Sequence, residues 1–293
     1  MYSQIDSNKR KTTLLIIIFI AFMAVLGYFL NLYLGSSDAM VLALIISLAM
    51  TLISYYKGDA IALASTGAKL TSKEENPYVY RMVENLAISV GMPTPKVYII
   101  NSSALNAFAT GRDPEHASIA VTTGIIAALE NEELEGVLAH ELSHIKNYDI
   151  RVMTIVIVLV GAVSLISNMF FHGGFLGGRR RNAEENGGGN VFAIVGIVLL
   201  IISPIIAKLI QLAISRKREY LADASGALMT RYPEGLARAL EKIQQSNIPL
   251  NTASAATAHL FISNPFKGKM FANAFSTHPP IEERIKRLRE EKV

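Results

Sequence analysis

Five consecutive residues near the middle of the chain combine side chains that bind metal ions and side chains that move protons. They read His140-Glu141-Leu142-Ser143-His144. On an α-helix the i to i+4 spacing places both imidazoles on one face, so that two ring nitrogens can reach a single zinc ion. Glu141 lies beside them and can hold a water at the metal and take its proton. The spacing therefore predicts a zinc site that activates water for hydrolysis.

A catalytic zinc ion needs a third protein ligand and one open position. In the extended form of this motif a third histidine follows six residues after the second, but Ile150 occupies that place. Glu219 is the better candidate, because Asp223 lies on the same helix face and can hydrogen-bond a ligand histidine to fix its tautomer. Tyr220 either donates a hydrogen bond to the reacting oxygen or faces the core. Asp149 either supports the site as Asp223 does or ends the helix.

Four long apolar stretches surround these residues. The chain is 51% hydrophobic and its mean hydropathy is +0.34, which exceeds what a soluble core requires. A helix of roughly 20 apolar residues crosses the hydrocarbon of a bilayer. Residue Lys208 lies near the end of the last stretch, where a long amine can reach the interface. The stretches, at 14–34, 39–56, 152–171 and 191–214, therefore predict four transmembrane helices.

The basic residues around these stretches predict their orientation, because cytoplasmic flanks carry an excess of Lys and Arg. Nine Lys and Arg residues lie close to the spans on the side of the membrane that holds the amino terminus. The opposite side has only three, Arg179 to Arg181. This difference places the amino terminus and both segments that carry the motif residues in the cytoplasm. His144 precedes the third span and Glu219 follows the fourth, so two crossings bring them to the same side of the membrane.

The remaining composition excludes several kinds of site. The chain has no cysteine, which excludes a disulfide framework and thiolate metal ligands. Its net charge of +4 is not accompanied by a motif that reads RNA or DNA, and much of the Lys and Arg lies next to the spans, where anionic lipid is the simpler partner. We therefore expect the lipid bilayer, and no nucleic acid, among its partners.

These observations predict a mainly α membrane protein with four transmembrane helices and a cytoplasmic α+β catalytic domain that contains a small sheet. A membrane anchor of two helices covers residues 1–56, a cytoplasmic segment 57–151, a transmembrane hairpin 152–214 and a second cytoplasmic segment 215–293. The patterns within the cytoplasmic segments predict helices over 77–90, over 233–244 and from Pro280, strands over 96–100 and 117–122, and a motif-bearing helix capped by Asn131.

Four motifs, in this order, resemble those of the HtpX-type membrane zinc metalloproteases, which are related to the peptidases that trim prenylated CaaX proteins. They lie at residues 106–111, 140–144, 218–223 and 277–280. The resemblance implies a zincin-like catalytic domain with one zinc ion on His140, His144 and Glu219. It also implies quality control in the cell membrane, with damaged or misfolded membrane proteins and unfolded polypeptides as substrates.

The resemblance further implies roles for residues outside the metal site. A substrate would add as a strand to a sheet edge near Asn106, Ala107 and Phe108, where the main chain supplies affinity with little sequence demand. His278 and Arg284 match positions that stabilise the tetrahedral intermediate in such enzymes, by donors aimed at the charge that develops on its oxygen.

Three alternatives use parts of the same sequence. A narrower processing peptidase of the CaaX type has the same chemistry but more spans than four. An intramembrane protease would carry its motif in an apolar run, whereas this helix contains Glu132, Glu133, Glu135, Lys146 and Asn147. A transporter or non-catalytic scaffold would need ionisable groups deep in its spans, where only Lys208 is available. The leading hypothesis is therefore a zinc endopeptidase with Glu141 as the general base.

Overall fold

The computed structural model describes residues 2–34, 38–171, 216–254, 257–266 and 279–290. They form a mainly helical protein with one small four-stranded sheet. The elements, in chain order, are α1 Tyr2–Leu34, α2 Asp38–Thr66, β1 Lys69–Leu70, α3 Pro77–Ser89, β2 Lys96–Ile100, β3 Ala107–Gly111, β4 Ala117–Thr122, α4 Thr123–Ala128, α5 Asn131–Lys146, α6 Asp149–Phe171, α7 Arg216–Thr230, α8 Pro233–Gln245 and α9 Ile281–Glu290, with short 3₁₀ turns at Pro114–His116 and Ala258–Leu260.

Three long helices cover the first three predicted spans. Helices α1, α2 and α6 pack against one another, and α2 turns apolar side chains such as Leu42, Ile45 and Leu48 outward, each more than half exposed. Within the described residues one helix, Met40–Thr66, is long and apolar enough by length and composition to cross a membrane. The predicted fourth span, 191–214, lies outside the described residues.

Helix α1 begins about three turns before its predicted span. The apolar run starts at residue 14, but the helix starts at Tyr2. Its first part is therefore polar, and Asn8 and Thr12 within it are buried. The amino-terminal helix thus extends beyond the apolar stretch and packs into the rest of the protein.

The sheet has the strand order β1-β2-β4-β3. Strands β2 and β4 run parallel, and the other neighbours are antiparallel. The predicted strands over 96–100 and 117–122 are the observed β2 and β4. Strand β3 is an edge strand, although all five of its residues are buried. Another part of the protein must therefore cover that edge.

Helix α5 packs in the middle of the described helices and sheet, in contact with β3, α7 and α8. Nearly every side chain from Leu134 to Ile145 is buried. The predicted cap was wrong by one residue: Asn131 is the first helical residue and Glu130 is the N-cap, whose backbone N–H donates to the Glu133 carboxylate at 2.9 Å. A buried helix that carries charged and histidine side chains indicates that those side chains have partners inside the protein.

Candidate metal centre

Helices α5 and α7 bring the three predicted metal ligands together. The Nε2 atoms of His140 and His144 are 3.2 Å apart. The Glu219 carboxylate lies 3.8 Å from the first and 3.6 Å from the second. The three side chains are buried, and their ligand atoms all lie within 4.8 Å of one another. Residues separated by about 75 positions in the sequence thus converge on one point.

The close approach of the two helices depends on a glycine. Glu219, Ala222, Asp223 and Gly226 lie on the face of α7 that packs on α5, and all four are buried. A Cβ atom on Gly226 would lie 3.0 Å from the His140 backbone nitrogen, closer than side chains normally pack. The absence of a side chain at Gly226 therefore lets α7 carry Glu219 up to the histidines.

A carboxylate holds the outer nitrogen of each histidine. His140 Nδ1 lies 2.9 Å from Asp223 Oδ1, and His144 Nδ1 lies 3.0 Å from Asp149 Oδ2. When each Nδ1 carries the proton and donates it to its carboxylate, the Nε2 atom of the same ring is unprotonated. The lone pairs of the two Nε2 atoms and the Glu219 carboxylate then point at one another. Acceptors that converge in this way are stabilised by a cation between them. The residues therefore fit a zinc ion.

The charges around the centre favour a cation at this point. Burial opposes protonation of His144, but Asp149, Glu219 and Glu141 outweigh it and raise its pKa to about 9. Burial, together with Arg284, lowers the pKa of His140 to about 4 in spite of its hydrogen bond to Asp223. The negative environment that raises the pKa of His144 would also stabilise a metal ion bound there.

Glu141 lies beside the ligands and is buried. Burial raises its pKa to about 7, and the charge of Glu219 adds to the effect, whereas His144 and a hydrogen bond from the Ala109 backbone in β3 act in the opposite direction. A carboxyl group with a pKa near neutrality can both accept and return a proton. Glu141 therefore has the properties required of a general base.

Arg284, which the resemblance assigns to the tetrahedral intermediate, contacts the supports of the metal centre. Its guanidinium is fully buried and donates to both oxygens of Asp223, from Nε at 2.8 Å and from Nη2 at 2.6 Å. Burial opposes ionisation of Asp223, but this cation and its hydrogen bonds lower the carboxyl pKa to about 2. Arg284 thus fixes the carboxylate that holds His140. Its predicted companion, His278, lies outside the described residues.

The chain's own residues cover the edge expected to bind substrate. The Asn106 side-chain amide donates to the Ser263 carbonyl at 3.1 Å, and the Ala107 carbonyl accepts from the Ile262 N–H at 3.0 Å. Phe108 packs edge-on against Phe261, with ring centroids 5.2 Å apart. The beginning of β3 is therefore in contact with residues 261–263, and the Ala109 backbone of the same strand donates a hydrogen bond to Glu141.

The burial of Arg218 is a feature that the sequence did not predict. Arg218 is one of the basic residues read as flanks of a span, yet its side chain is buried and its Nη1 lies 3.3 Å from Asp149 Oδ1. Asn8, also buried, donates to the same oxygen at 2.7 Å. A lone asparagine ahead of an apolar run carries no sequence signal for such a role. Arg218 opens the motif at residues 218–223 that carries Glu219, and this position in the motif was the available signal for it.

Comparison with known proteins places these residues in a family context. The model of Peptidase family M48 matches residues 73–292. The chain is 47% identical over 290 residues to a "Protease HtpX homolog" of Tropheryma whipplei, covering 99% of this chain and 98% of the relative. It is 47% identical over 293 residues to one of Caldanaerobacter subterraneus subsp. tengcongensis, covering 99% and 97%. A crystal structure of S. mikatae Ste24p aligns with a TM-score of 0.48 at 21% identity, over 98% of this chain and 66% of that one.

Proposed function

The chain belongs to peptidase family M48, and we propose that it is a zinc-dependent endopeptidase that cleaves damaged or misfolded membrane proteins at the cytoplasmic face of the cell membrane. The observation that carries the proposal is the convergence of two histidine Nε2 atoms and the Glu219 carboxylate in one buried place, with Glu141 beside them. Two nitrogen ligands, one oxygen ligand and a neighbouring carboxyl base are the protein groups that zinc peptidases require.

In the proposed reaction the protein holds the metal and moves one proton. A bound zinc ion supplies Lewis-acid chemistry, which makes water nucleophilic near neutral pH and polarises the peptide carbonyl. Glu141 takes the proton of the attacking water and returns it to the leaving amine. Asp223 and Asp149 keep the two histidines in the tautomer that can bind a metal. Each residue thereby has one task, set by the atoms that it contacts.

Removal and replacement of the metal test this function. The purified full-length protein should cleave casein or an unlipidated membrane protein, lose cleavage when a chelator removes the metal, and regain it with about one zinc ion per chain. The readouts are metal content and product formation in the same samples. Cleavage that persists in metal-free protein would contradict the proposal. Activity confined to prenylated peptides would instead favour a processing peptidase of the CaaX type.

The location at the membrane is part of the proposal. It is supported by the excess of basic flanks on one side and by the apolar, outward-facing surface of α2. The chain has no cysteine, so single cysteines report topology directly. In intact cells a membrane-impermeant thiol reagent should leave Ser254→Cys unmodified and label Asn182→Cys in the predicted outer loop. Labelling of Ser254→Cys without permeabilisation would reverse the orientation.

Arg284 and His278 are expected to act at different steps. Arg284→Lys cannot hold both Asp223 oxygens, so we expect zinc affinity to fall about 10–100-fold, as when other outer partners of metal-bound histidines are lost. His278→Ala should retain zinc and lower kcat about 100-fold, if this side chain stabilises the reacting oxygen. Chelator competition and steady-state kinetics measure the two effects. Equal zinc affinity in Arg284→Lys and the wild type would refute the structural role.

A further inference from the structure

The amino-terminal helix contacts the metal centre through one residue. Asn8 lies in the polar first part of α1 and is 0% exposed. The family model begins only at residue 73, so α1 lies outside the part of the chain that the family match covers. A fully buried amide in a membrane anchor calls for hydrogen-bond partners, and the partners of Asn8 belong to the catalytic domain.

The contacts of Asn8 lead directly to a metal ligand. Its Nδ2 atom donates to Asp149 Oδ1 at 2.7 Å, and the other oxygen of Asp149 holds His144 Nδ1 at 3.0 Å. Its Oδ1 atom accepts from Arg218 Nη1 at 3.4 Å. Asn8 is therefore two hydrogen bonds away from the imidazole that would bind the metal.

Asn8 also fixes the turn that carries Asp149. Tyr148, between α5 and α6, has a φ of 60°, a left-handed conformation that a bulky residue adopts only when its surroundings enforce it. The Nδ2 atom of Asn8 donates to the carbonyl of Asn147 at 2.8 Å as well as to Asp149. One side chain thus binds the residues on both sides of Tyr148 and holds the strained turn closed.

We propose that Asn8 is a positioning residue of the metal centre: α1 clamps the α5–α6 turn, so that Asp149 orients His144 toward the metal. The clamp rests on the proposed function, since it presumes that His144 is a ligand. A helix of the membrane anchor then forms part of the site. Metal binding becomes dependent on the docking of α1 as well as on the three ligands themselves.

The test compares zinc affinity in full-length variants purified in detergent. Asn8→Leu keeps the approximate volume of the side chain but removes its hydrogen bonds. We expect its zinc dissociation constant, measured by competition with a chromogenic chelator, to rise about 10–100-fold. The visible bands of the Co²⁺-substituted protein should shift, because they report ligand geometry. Thr12→Val, a change at a buried residue one turn along the same helix, should leave both readouts at wild-type values.

A double-mutant cycle shows whether Asn8 acts through Asp149. In the Asp149→Asn background, Asn8→Leu should weaken zinc binding much less than in the wild type, whereas its effect should be additive with Asp223→Asn, which alters the other histidine. Full additivity with Asp149→Asn, or unchanged affinity and Co²⁺ bands in folded Asn8→Leu, would overturn the clamp. Should Asn8→Leu not fold, Asn8→Ser provides the same comparison. A wild type that binds zinc but cleaves nothing would refute the proposed function alone.

Discussion

Glu141→Gln is expected to abolish peptide cleavage while the protein keeps its metal. The amide has nearly the same size as the carboxylate, and its oxygen can still accept the hydrogen bond from the Ala109 backbone that Glu141 receives. It cannot accept a proton from water at neutral pH. General-base catalysis contributes about 10²–10⁴-fold to rate, so kcat should fall by at least that factor.

The measurement pairs cleavage kinetics with metal content. Glu132→Gln is a matched control, because it makes the same change on the same helix at an exposed position. It should leave kcat, metal content and thermal stability near wild-type values. A Glu141→Gln protein that cleaved at more than about a tenth of the wild-type rate would exclude Glu141 as the base. Loss of metal from that variant would give Glu141 a role in binding instead.

Glu219→Gln should lose the metal itself. The carboxylate is the only anionic member of the group that converges with His140 and His144, and a neutral amide is a much weaker zinc ligand than a carboxylate. We expect affinity to fall by more than the 10–100-fold typical of the loss of an outer partner. After dialysis against a chelator that leaves the wild type loaded, this variant should retain almost no zinc.

Asp223→Asn provides the comparison for Glu219→Gln. It changes a buried carboxylate four residues away on the same face of α7, one that contacts His140 at Nδ1 and not at the metal-facing nitrogen. The zinc affinity of Asp223→Asn should therefore lie between the affinities of the wild type and of Glu219→Gln. If both variants lost zinc to the same extent, or if Glu219→Gln kept one ion per chain, Glu219 would not be the third ligand.

The parts of this protein that sequence predicted well are those set by local spacing. The i to i+4 histidines lie on one face of any helix, and the strand pattern over 96–100 and the acidic first turn of α5 are equally local signals. The pairing with Glu219 was predicted through one further step, the expected return of the chain to the same side of the membrane, which stays a prediction. Local periodicity and topology were thus enough to predict which three residues meet.

The parts that sequence did not predict depend on contacts between distant segments. Asn8 bonds a residue 141 positions away, and Asn106 one 157 positions away. The burial of Arg218, which is counted among the basic flanks of the spans, was not predicted, because it depends on contacts with Asn8 and Asp149. The contact of Arg284 with Asp223 was not predicted either, because a sequence does not show which carboxylate a guanidinium will meet. Such contacts follow from the packing of whole elements.

The wide separation of the ligands and their supports along the chain also orders events during synthesis. His144 leaves the ribosome about 140 residues before Arg284, a delay of roughly 7–30 s at about 5–20 residues per second. During the first half of that interval the nascent chain has its two histidines and Glu141 but lacks Glu219 and Asp223. It lacks Arg284 until the interval ends. The three converging side chains therefore cannot meet before α7 has been synthesised, and the support from Arg284 follows later still. For the peptidase proposed above, this order of synthesis would postpone hydrolysis until the third metal ligand has left the ribosome.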